Sequence, residues 1–287
     1  MSDSLISAKR DEMHAGIISS GTLTVNDASI PSNADKGNRV SIAVALQIAR
    51  TLNVSTREER AAGQTLGGNF EDAVAVFLRE TFLQLDMLRP GRWDIHHVGN
   101  VRRSALSDYE PYRHLADLNE AIAHDPALLA VLGNAYAISP DIIVSRMPEP
   151  DSLINSVRRV VDDTSASRTV MREATSAAPI LHAVISCKWT LRSDRAQNAR
   201  SEALNLIRNR KGRNPHIAVV TFEPLPSRLA SLALGTGDID CVYHLALPEL
   251  IDAVGEHGGS EARDLLHSMV VGQRLRDITD LPLDLTV

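Results

Sequence analysis

Short apolar runs in this chain alternate with longer stretches in which apolar residues recur at helical spacing. Residues 180–185 are apolar and partly β-branched, which is typical of a half-buried strand, and the run continues to Trp189. Pro140 cannot donate a hydrogen bond to a ladder, so a strand that contains it is expected at a sheet edge or at a bulge. Further strands are predicted over residues 93–98, 137–144, 216–222 and 240–245.

Helical spacing predicts four helices and one or two more within residues 109–132, with a break near 125–126. The four lie at residues 40–52, 70–88, 194–210 and 247–269. Asn69 is expected to cap the second, so that Glu71 lies in its first turn, where the helix dipole favours a carboxylate. Asp194, with Gln197 three positions later, is expected to cap the third.

The remaining segments are predicted as connections. Residues 1–40 are polar, with turn-forming residues at 31–38, and residues 146–179 are expected to connect two strands with one helix at most. Residues 63–69 form a glycine-rich loop that lacks the Gly-Lys-Ser/Thr ending of a nucleotide-binding P-loop, which excludes that function. The chain is expected to end in an extended tail. Strands with intervening helices predict one α/β (α+β) domain over residues 1–287, with a central mixed β-sheet flanked by helices.

Composition narrows the class of protein. The 287 residues are 44% hydrophobic and 23% charged, as is ordinary for a soluble globular protein, and no apolar run reaches membrane-spanning length. No signal peptide is visible, so we expect a cytoplasmic protein without a membrane partner. Aromatic residues make up 3%, which argues against a stacking platform for single-stranded nucleic acid. Cys187 and Cys241 lie in apolar runs and are expected in the core of a protein in a reducing compartment.

Charge is unevenly distributed along the chain. The net charge is -6, yet the segment from Lys188 to Arg213 has eight basic residues and two acidic ones. One concentrated basic segment in an acidic chain is compatible with a localised surface that contacts phosphate groups. A solvated helix face would explain the same charges.

Lys188 lies near the end of the apolar run that begins at residue 180 and continues to Trp189. A carboxylate, Asp141, belongs to the strand predicted at 137–144. A lysine and an aspartate at the ends of adjacent strands are the core of a metal-dependent nuclease site. Carboxylate oxygens suit Mg²⁺, which binds through one or two protein carboxylates and substrate phosphate. An ammonium group beside the metal can orient the attacking water and stabilise charge that develops on the phosphate. The alternative is a strand-terminal lysine that only extends to solvent.

The spacing departs from the usual nuclease pattern at one position. That pattern is Pro-Asp, a variable gap, and then Asp/Glu-x-Lys, whereas Ser186 occupies the position of the second acid here. Ser186 and Lys188 share one face of the strand because side chains alternate across it. A compensating carboxylate is expected from elsewhere, with Glu202 the nearest candidate in sequence and Glu71 the other. His96 and His97 are adjacent, so they point to opposite faces and cannot bind one metal together; we interpret both as structural or surface residues.

These residues resemble the CCGG family of restriction endonucleases, in which the second acid is displaced in the same way. The resemblance extends beyond the motif of Ser186, Cys187 and Lys188 and covers most of the chain. It includes residues 32–35, 186–190, 192–202, 208–213, 226–228, 235–237 and 280–285.

The resemblance implies a type II endonuclease that uses Mg²⁺ to cut double-stranded DNA at a palindromic site, GCCGGC, after the first G. Asp141 and Lys188 would be the catalytic pair, and the backbone carbonyl of Cys187 would help to hold the metal. Glu71 would be a metal ligand and Glu202 a further acidic group, with Ser186 in the position of the usual acid. The fold implied is a restriction-endonuclease-like core.

The resemblance also assigns residues to base readout. Arg192, Asp194 and Arg195 match the readers of the inner CCGG, where arginine donates to guanine and aspartate accepts from cytosine. Positions assigned to the outer G·C pair are matched by Gln64, Asp35 and Arg228. A homotetramer of two dimers that binds two DNA sites is implied, with a cognate DNA methyltransferase as functional partner. A structure-specific nuclease on the same core and a non-catalytic DNA-binding protein are the competing functions; the Arg-Asp-Arg cluster argues against both.

Overall fold

A six-stranded β-sheet lies at the centre of the computed structural model, which describes residues 4–55, 63–98, 106–124, 127, 140–235 and 237–287. The side chains of residues 63–65, 119, 123, 193 and 194 lie outside this description. The strands follow one another in space in their chain order. They are β1 (Trp93–His97), β2 (Ile142–Arg146), β3 (Ile180–Lys188), β4 (His216–Thr221), β5 (Cys241–His244) and β6 (Leu275–Asp277).

The sheet is mixed, as predicted. β1, β2 and β3 pair antiparallel, whereas β3 to β6 pair parallel. β3 is buried over most of its length and is therefore central, as its continuous apolar run indicates. Ile142 pairs with Ile185, which places Asp141 beside the last residues of β3.

The strand predicted at 137–144 is shifted in the structure. β2 begins at Ile142, two residues after Pro140, and residues 137–139 lie outside the described part of the chain. The prediction of an edge strand was wrong, because β2 lies between β1 and β3. Pro140 precedes the ladder and costs it no hydrogen bond. The register does shift within β2, between Val144 and Ser145, but this irregularity is not at the proline.

Helices cover the sheet and pack against one another. They are α1 (Leu5–Ser19), α2 (Arg39–Thr51), α3 (Gly63–Thr81), α4 (His114–His124), α5 (Asp151–Ile154), α6 (Ser193–Asn209), α7 (Pro226–Ala233), α8 (Leu247–His257), α9 (Ser260–Val271) and α10 (Leu281–Asp284), with 3-10 turns at Phe82–Gln84 and Leu106–Asp108. α2, α6 and the pair α8 and α9 confirm the helices predicted from spacing. The described residues include no helix that is long and apolar enough to cross a membrane.

The glycine-rich loop predicted at 63–69 is in fact the beginning of α3. Leu66, Phe70 and Val74 are buried at spacings of four residues, so the apolar stripe extends back into the glycine-rich segment. Burial of these side chains outweighs the low helix propensity of glycine, which costs about 1 kcal/mol per residue. Asn69 is therefore inside the helix and is not its cap, and Glu71 lies beyond the first turn.

Three other local predictions were wrong. α6 begins at Ser193 with Arg192 as the capping position, so Asp194 lies in the first turn. The polar N-terminus contains α1, in which Met13 and Ile17 are buried and α3 is the packing partner. The expected extended tail contributes β6 and α10.

One hydrophobic cluster joins residues from Met13 to Leu285, and it includes Cys187 and Cys241, both buried and free.

Candidate active site

A cleft of about 580 Å³ opens at the end of β3 and gathers most of the residues predicted for the site. β3 supplies Cys187 and Lys188, α3 supplies Glu71, and α6 supplies Arg195 and Glu202. Asp35, Arg192 and Arg228 also line it. These positions are spread over almost 200 residues of sequence, and the packing of helices and loops around the end of β3 brings them together.

Asp141 and Lys188 form an ion pair at the end of β3. Nζ of Lys188 donates to Oδ2 of Asp141 at 2.9 Å, and the backbone N–H of Cys187 donates to the same oxygen at 2.6 Å. The side chains are 18% and 17% exposed, so the pair is mostly buried. Two donors on one carboxylate oxygen fix the orientation of Asp141 relative to the end of β3.

The ammonium group of Lys188 stays charged in spite of its burial. Burial alone would lower its pKa, but the charges of Asp141 and Glu202 and the hydrogen bond to Asp141 raise it above the ordinary value. Lys188 is therefore a positive charge and a hydrogen-bond donor at neutral pH.

The charges of this pair also affect the pKa of two further carboxyl groups, those of Glu71 and Glu202. Burial and the negative charge of Asp141 raise the pKa of Glu71, while His97 and Lys188 oppose the rise. Burial also raises the pKa of Glu202, with Lys188 opposing the rise and Asp141 adding to it. The structure thus brings Glu71 and Glu202 into the electrostatic range of the ion pair from two different helices.

The donor set is compatible with a hard divalent cation. Three carboxylates and one ammonium leave an excess of negative charge that such a cation would balance, and oxygen ligands suit Mg²⁺. Among the residues that the structure describes, no three His, Cys, Asp or Glu side chains form a ready-made metal-binding group. Mg²⁺ needs no such group, because it keeps several waters and takes one or two protein carboxylates.

Ser186 lies beside Asp141 but brings no charge. Its hydroxyl is 3.5 Å from Oδ2 of Asp141, and the residue is 8% exposed. Glu202 is the acid that α6 brings to this region instead, and the charges of Lys188 and Asp141 both act on it.

The basic residues at the beginning of α6 border the same cleft. Arg192 and Arg195 are exposed, and Nη1 of Arg195 donates to Oγ1 of Thr190 at 3.3 Å. Arg228 at the beginning of α7 donates to Asp35, and the hydrogen bonds from the Gly37 backbone and from Arg228 lower the pKa of Asp35. The backbones of Asp194 and Gln64 belong to α6 and α3, but their side chains lie outside the described part of the chain.

Sequence reasoning missed two residues. His97 was interpreted as structural or surface, yet its Nε2 is 3.1 Å from Oε2 of Glu71 and its Nδ1 is 3.5 Å from Asp72. Glu223 is fully buried and accepts hydrogen bonds from the backbones of Leu191 and Leu225 at 2.7 and 3.1 Å. The sequence did contain a signal for Glu223, because this acidic residue comes two positions after the buried strand β4, just as Lys188 comes at the end of β3.

Comparison with known proteins identifies the class of protein to which this chain belongs. The sequence model of the NgoMIV restriction enzyme family matches residues 13–287. The chain therefore belongs to this family and is a type II restriction endonuclease, an enzyme that cleaves DNA. Such enzymes generally use divalent metal ions.

A particular relative is similar over the whole chain. Type II restriction enzyme NgoMIV from Neisseria gonorrhoeae is 47% identical over 283 residues, which cover 99% of each chain. Among solved structures, the complex of restriction endonuclease PspGI with substrate DNA matches 98% of this chain and 92% of that chain, at 14% identity and a TM-score of 0.30. A TM-score this low does not bear on the fold or the activity. The family predicted from the motifs is confirmed by the first two matches.

Proposed function

We propose that this chain, as one domain over residues 1–287, is a Mg²⁺-dependent endonuclease that cleaves GCCGGC after the first G and leaves 5′ overhangs. The observation that carries the proposal is that Lys188, which is ion-paired with Asp141, lines one cleft together with Arg192 and Arg195. Catalytic and base-reading side chains are thus held by consecutive segments, the end of β3 and the beginning of α6.

Asp141, Glu71 and the backbone carbonyl of Cys187 would hold Mg²⁺. When bound, the metal would supply Lewis-acid stabilisation of the phosphate and lower the pKa of the attacking water. Lys188, kept positively charged, would orient that water and stabilise charge on the phosphoryl oxygens. The hydrogen bond from the backbone of Cys187 keeps Asp141 in place for this role.

Glu202 would supply the anionic group that Ser186 lacks. Burial raises its pKa and the charge of Asp141 adds to the rise, and a bound cation would offset both effects. The serine hydroxyl would act as a neutral hydrogen-bond donor to Asp141 and not as a ligand.

Arg192, Asp194 and Arg195 would read the inner CCGG in the major groove, where arginine donates to guanine O6 and N7 and aspartate accepts from cytosine N4. Asp35, Arg228 and Gln64 would read the outer G·C pair. The contact of Asp35 with Arg228 supports this assignment, because adjacent donor and acceptor groups match the two bases of one G·C pair.

The assembly would be a homotetramer of two dimers, each bound to one palindromic site. Closed two-fold symmetry of a dimer matches the symmetry of a palindrome, and pairing two dimers gives a common tetramer. Inside the cytoplasm, a cognate DNA methyltransferase would protect host sites. A plasmid with two sites should be cut faster than one with a single site, because the second site binds intramolecularly. Equal rates, together with elution as a dimer, would argue for a one-site enzyme.

The central experiment is a digest of a mapped plasmid with and without Mg²⁺, followed by sequencing of the ends. Ends at GCCGGC support the proposal, whereas cuts at junctions or gaps would favour a structure-specific nuclease. Lys188→Ala and Asp141→Ala should abolish cleavage while specific binding in Ca²⁺ persists. Near-normal single-turnover cleavage by folded Lys188→Ala would refute the assigned site.

A further inference from the structure

A second cavity, of about 220 Å³, lies at the opposite end of β3 from the cleft. Ile180, Leu181 and His182 at the beginning of β3 line it, whereas Lys188 ends the strand. Eight residue steps at about 3.3 Å separate the two ends, so the second cavity is roughly 26 Å from Lys188. It therefore belongs to a different region of the molecule from the proposed catalytic residues.

Four cationic side chains contribute to the lining of this cavity. Arg89, Arg146, Lys211 and Arg213 line it, and we call it the basic cavity. Glu110 is the acidic residue in its lining, and that carboxylate already lies 3.8 Å from Arg113. The rest of the lining includes the apolar side chains of Trp93, Val170, Met171, Ile180 and Leu181.

Protein groups satisfy these cations only in part. Arg146 is 3.2 Å from Glu149, and Arg89 donates to the carbonyl of Thr286 at 3.1 Å. The Nε atoms of Arg89 and Arg146 are nevertheless buried without a hydrogen-bond partner. Within the described ranges, Lys211 and Arg213 have no salt bridge. The cavity thus combines two half-buried arginines, each with a buried Nε that lacks a partner, with two exposed cations at its mouth, Lys211 and Arg213.

The positive charges at this cavity lower the pKa of two groups in its lining, Arg89 and His182. Burial and the charges of Arg213 and Arg146 lower the pKa of Arg89. Burial also lowers the pKa of His182 to about 4, and the charges of Arg89 and Arg213 contribute to that shift. An anion in the cavity would relieve repulsion among the three arginines.

The backbone holds the basic turn against the cavity wall. The N–H of Lys211 donates to the carbonyl of Pro111 at 3.1 Å. Gly212 has φ 149°, and a Cβ there would lie 3.2 Å from Cβ of Pro111, so a side chain would be both strained and crowded. Glycine at this position allows Lys211 and Arg213 to approach the cavity together.

Base readout does not account for this basic segment. α6 has 17 residues, which at 1.5 Å per residue separate its ends by about 25 Å. Arg192 and Arg195 at its beginning therefore cannot share base pairs with Lys211 and Arg213 beyond its end. Contacts to the same base pairs therefore do not explain the basic run of residues 208–213.

We propose that the basic cavity is a binding site for a phosphoryl group. Guanidinium groups bind phosphate oxygens through paired, charge-assisted hydrogen bonds, and three of them converge here with one lysine. The small volume and the apolar part of the lining limit the occupant to a phosphate with little more than one attached group. The source is either inorganic or small-molecule phosphate or a backbone phosphate of DNA beyond the recognition site. This site does not depend on the proposed cleavage chemistry.

The test is isothermal titration of the full-length protein with inorganic phosphate in the absence of divalent metal. Lys211→Gln and Arg213→Gln should each weaken phosphate binding by about tenfold, the usual loss for one charge-assisted hydrogen bond. Arg208→Gln is the matched control, because Arg208 is an exposed cation of the same segment that does not line the cavity. Arg195→Gln reports any phosphate bound in the cleft. Equal melting temperatures establish that the variants are folded.

A second arm separates the two sources of phosphate. If the cavity variants also weaken binding of a long cognate duplex and reduce its salt dependence, the ligand is a backbone phosphate. If duplex binding is unchanged while phosphate binding is lost, the ligand is a small phosphate-bearing molecule. Absence of phosphate binding, or binding that only Arg195→Gln or Arg208→Gln weakens, would overturn the proposal.

Discussion

Replacing Glu223 by glutamine should change how the stability of the protein depends on pH. Glu223 is completely buried, its carboxylate accepts hydrogen bonds from the backbones of Leu191 and Leu225, and it lies 3.8 Å from Arg228. Glutamine has almost the same shape and keeps one acceptor oxygen, but it cannot ionise. The loss of the other acceptor oxygen does not depend on pH, so the pH-dependent part of the difference between the two proteins isolates the free energy of ionising the buried carboxyl.

The magnitude follows from the pKa of Glu223. Burial raises it from 4.5 to about 7, although the Leu191 hydrogen bond and Arg228 oppose the rise. At 1.36 kcal/mol per pKa unit, this difference corresponds to about 3 kcal/mol. A carboxyl whose pKa is higher in the folded state contributes stability that is fully present below pH 4.5. That contribution is lost as the pH rises through about 7. The stability of the variant relative to the wild type should therefore increase by about 3 kcal/mol across this window.

The assay is urea unfolding of both proteins between pH 4.5 and 8.5 at one protein concentration, because oligomers unfold in a concentration-dependent way. Subtracting the two curves removes the titration of every other group. Glu261→Gln, which changes an exposed glutamate, is the control and should give a flat difference. A flat difference for Glu223→Gln as well would show that the buried carboxyl is not destabilised by ionisation, and the reasoning would fail.

Three further changes probe the cleft. Arg195→Ala should weaken cognate binding by about 1–3 kcal/mol per contact, with little effect on random duplex; an equal loss on both, with a smaller salt slope, would indicate a phosphate contact. Glu202→Ala should strongly lower Mg²⁺-dependent cleavage, and adding Ser186→Glu should restore part of it; equal inactivity of the folded single and double variants would point to Glu71 instead. His97→Ala should raise the Mg²⁺ concentration for half-maximal cleavage by about 10- to 100-fold, because His97 supports Glu71. His96→Ala, which changes the exposed neighbour, is the control, and equal Mg²⁺ requirements in both variants would exclude this role.

The sequence determined the features that depend on local periodicity. Apolar runs located β1, β3, β4 and β5 to within one or two residues, because a buried strand must be apolar along its length or on alternate positions. The same runs placed Lys188 at the end of a strand, and the motifs around it indicated the family that the comparisons confirm.

Tertiary structure decided where local preference and packing disagree. The glycines before Phe70 favour a loop, yet α3 begins at Gly63 because its buried stripe starts with Leu66. A three-residue strand such as β6 has too few positions to show a period, so only its pairing with β5 defines it. The same holds for α1, whose few apolar residues are buried mainly by α3.

The composition of the cleft was likewise beyond the reach of sequence periodicity. Glu71, Lys188 and Glu202 come from three segments, and only the sheet register and helix packing bring their charges together. Alternation along β1 separates His96 from His97, but it cannot show that α3 places Glu71 opposite His97. Side-chain direction is a local property of the backbone, whereas the partner that a side chain meets depends on how distant elements pack.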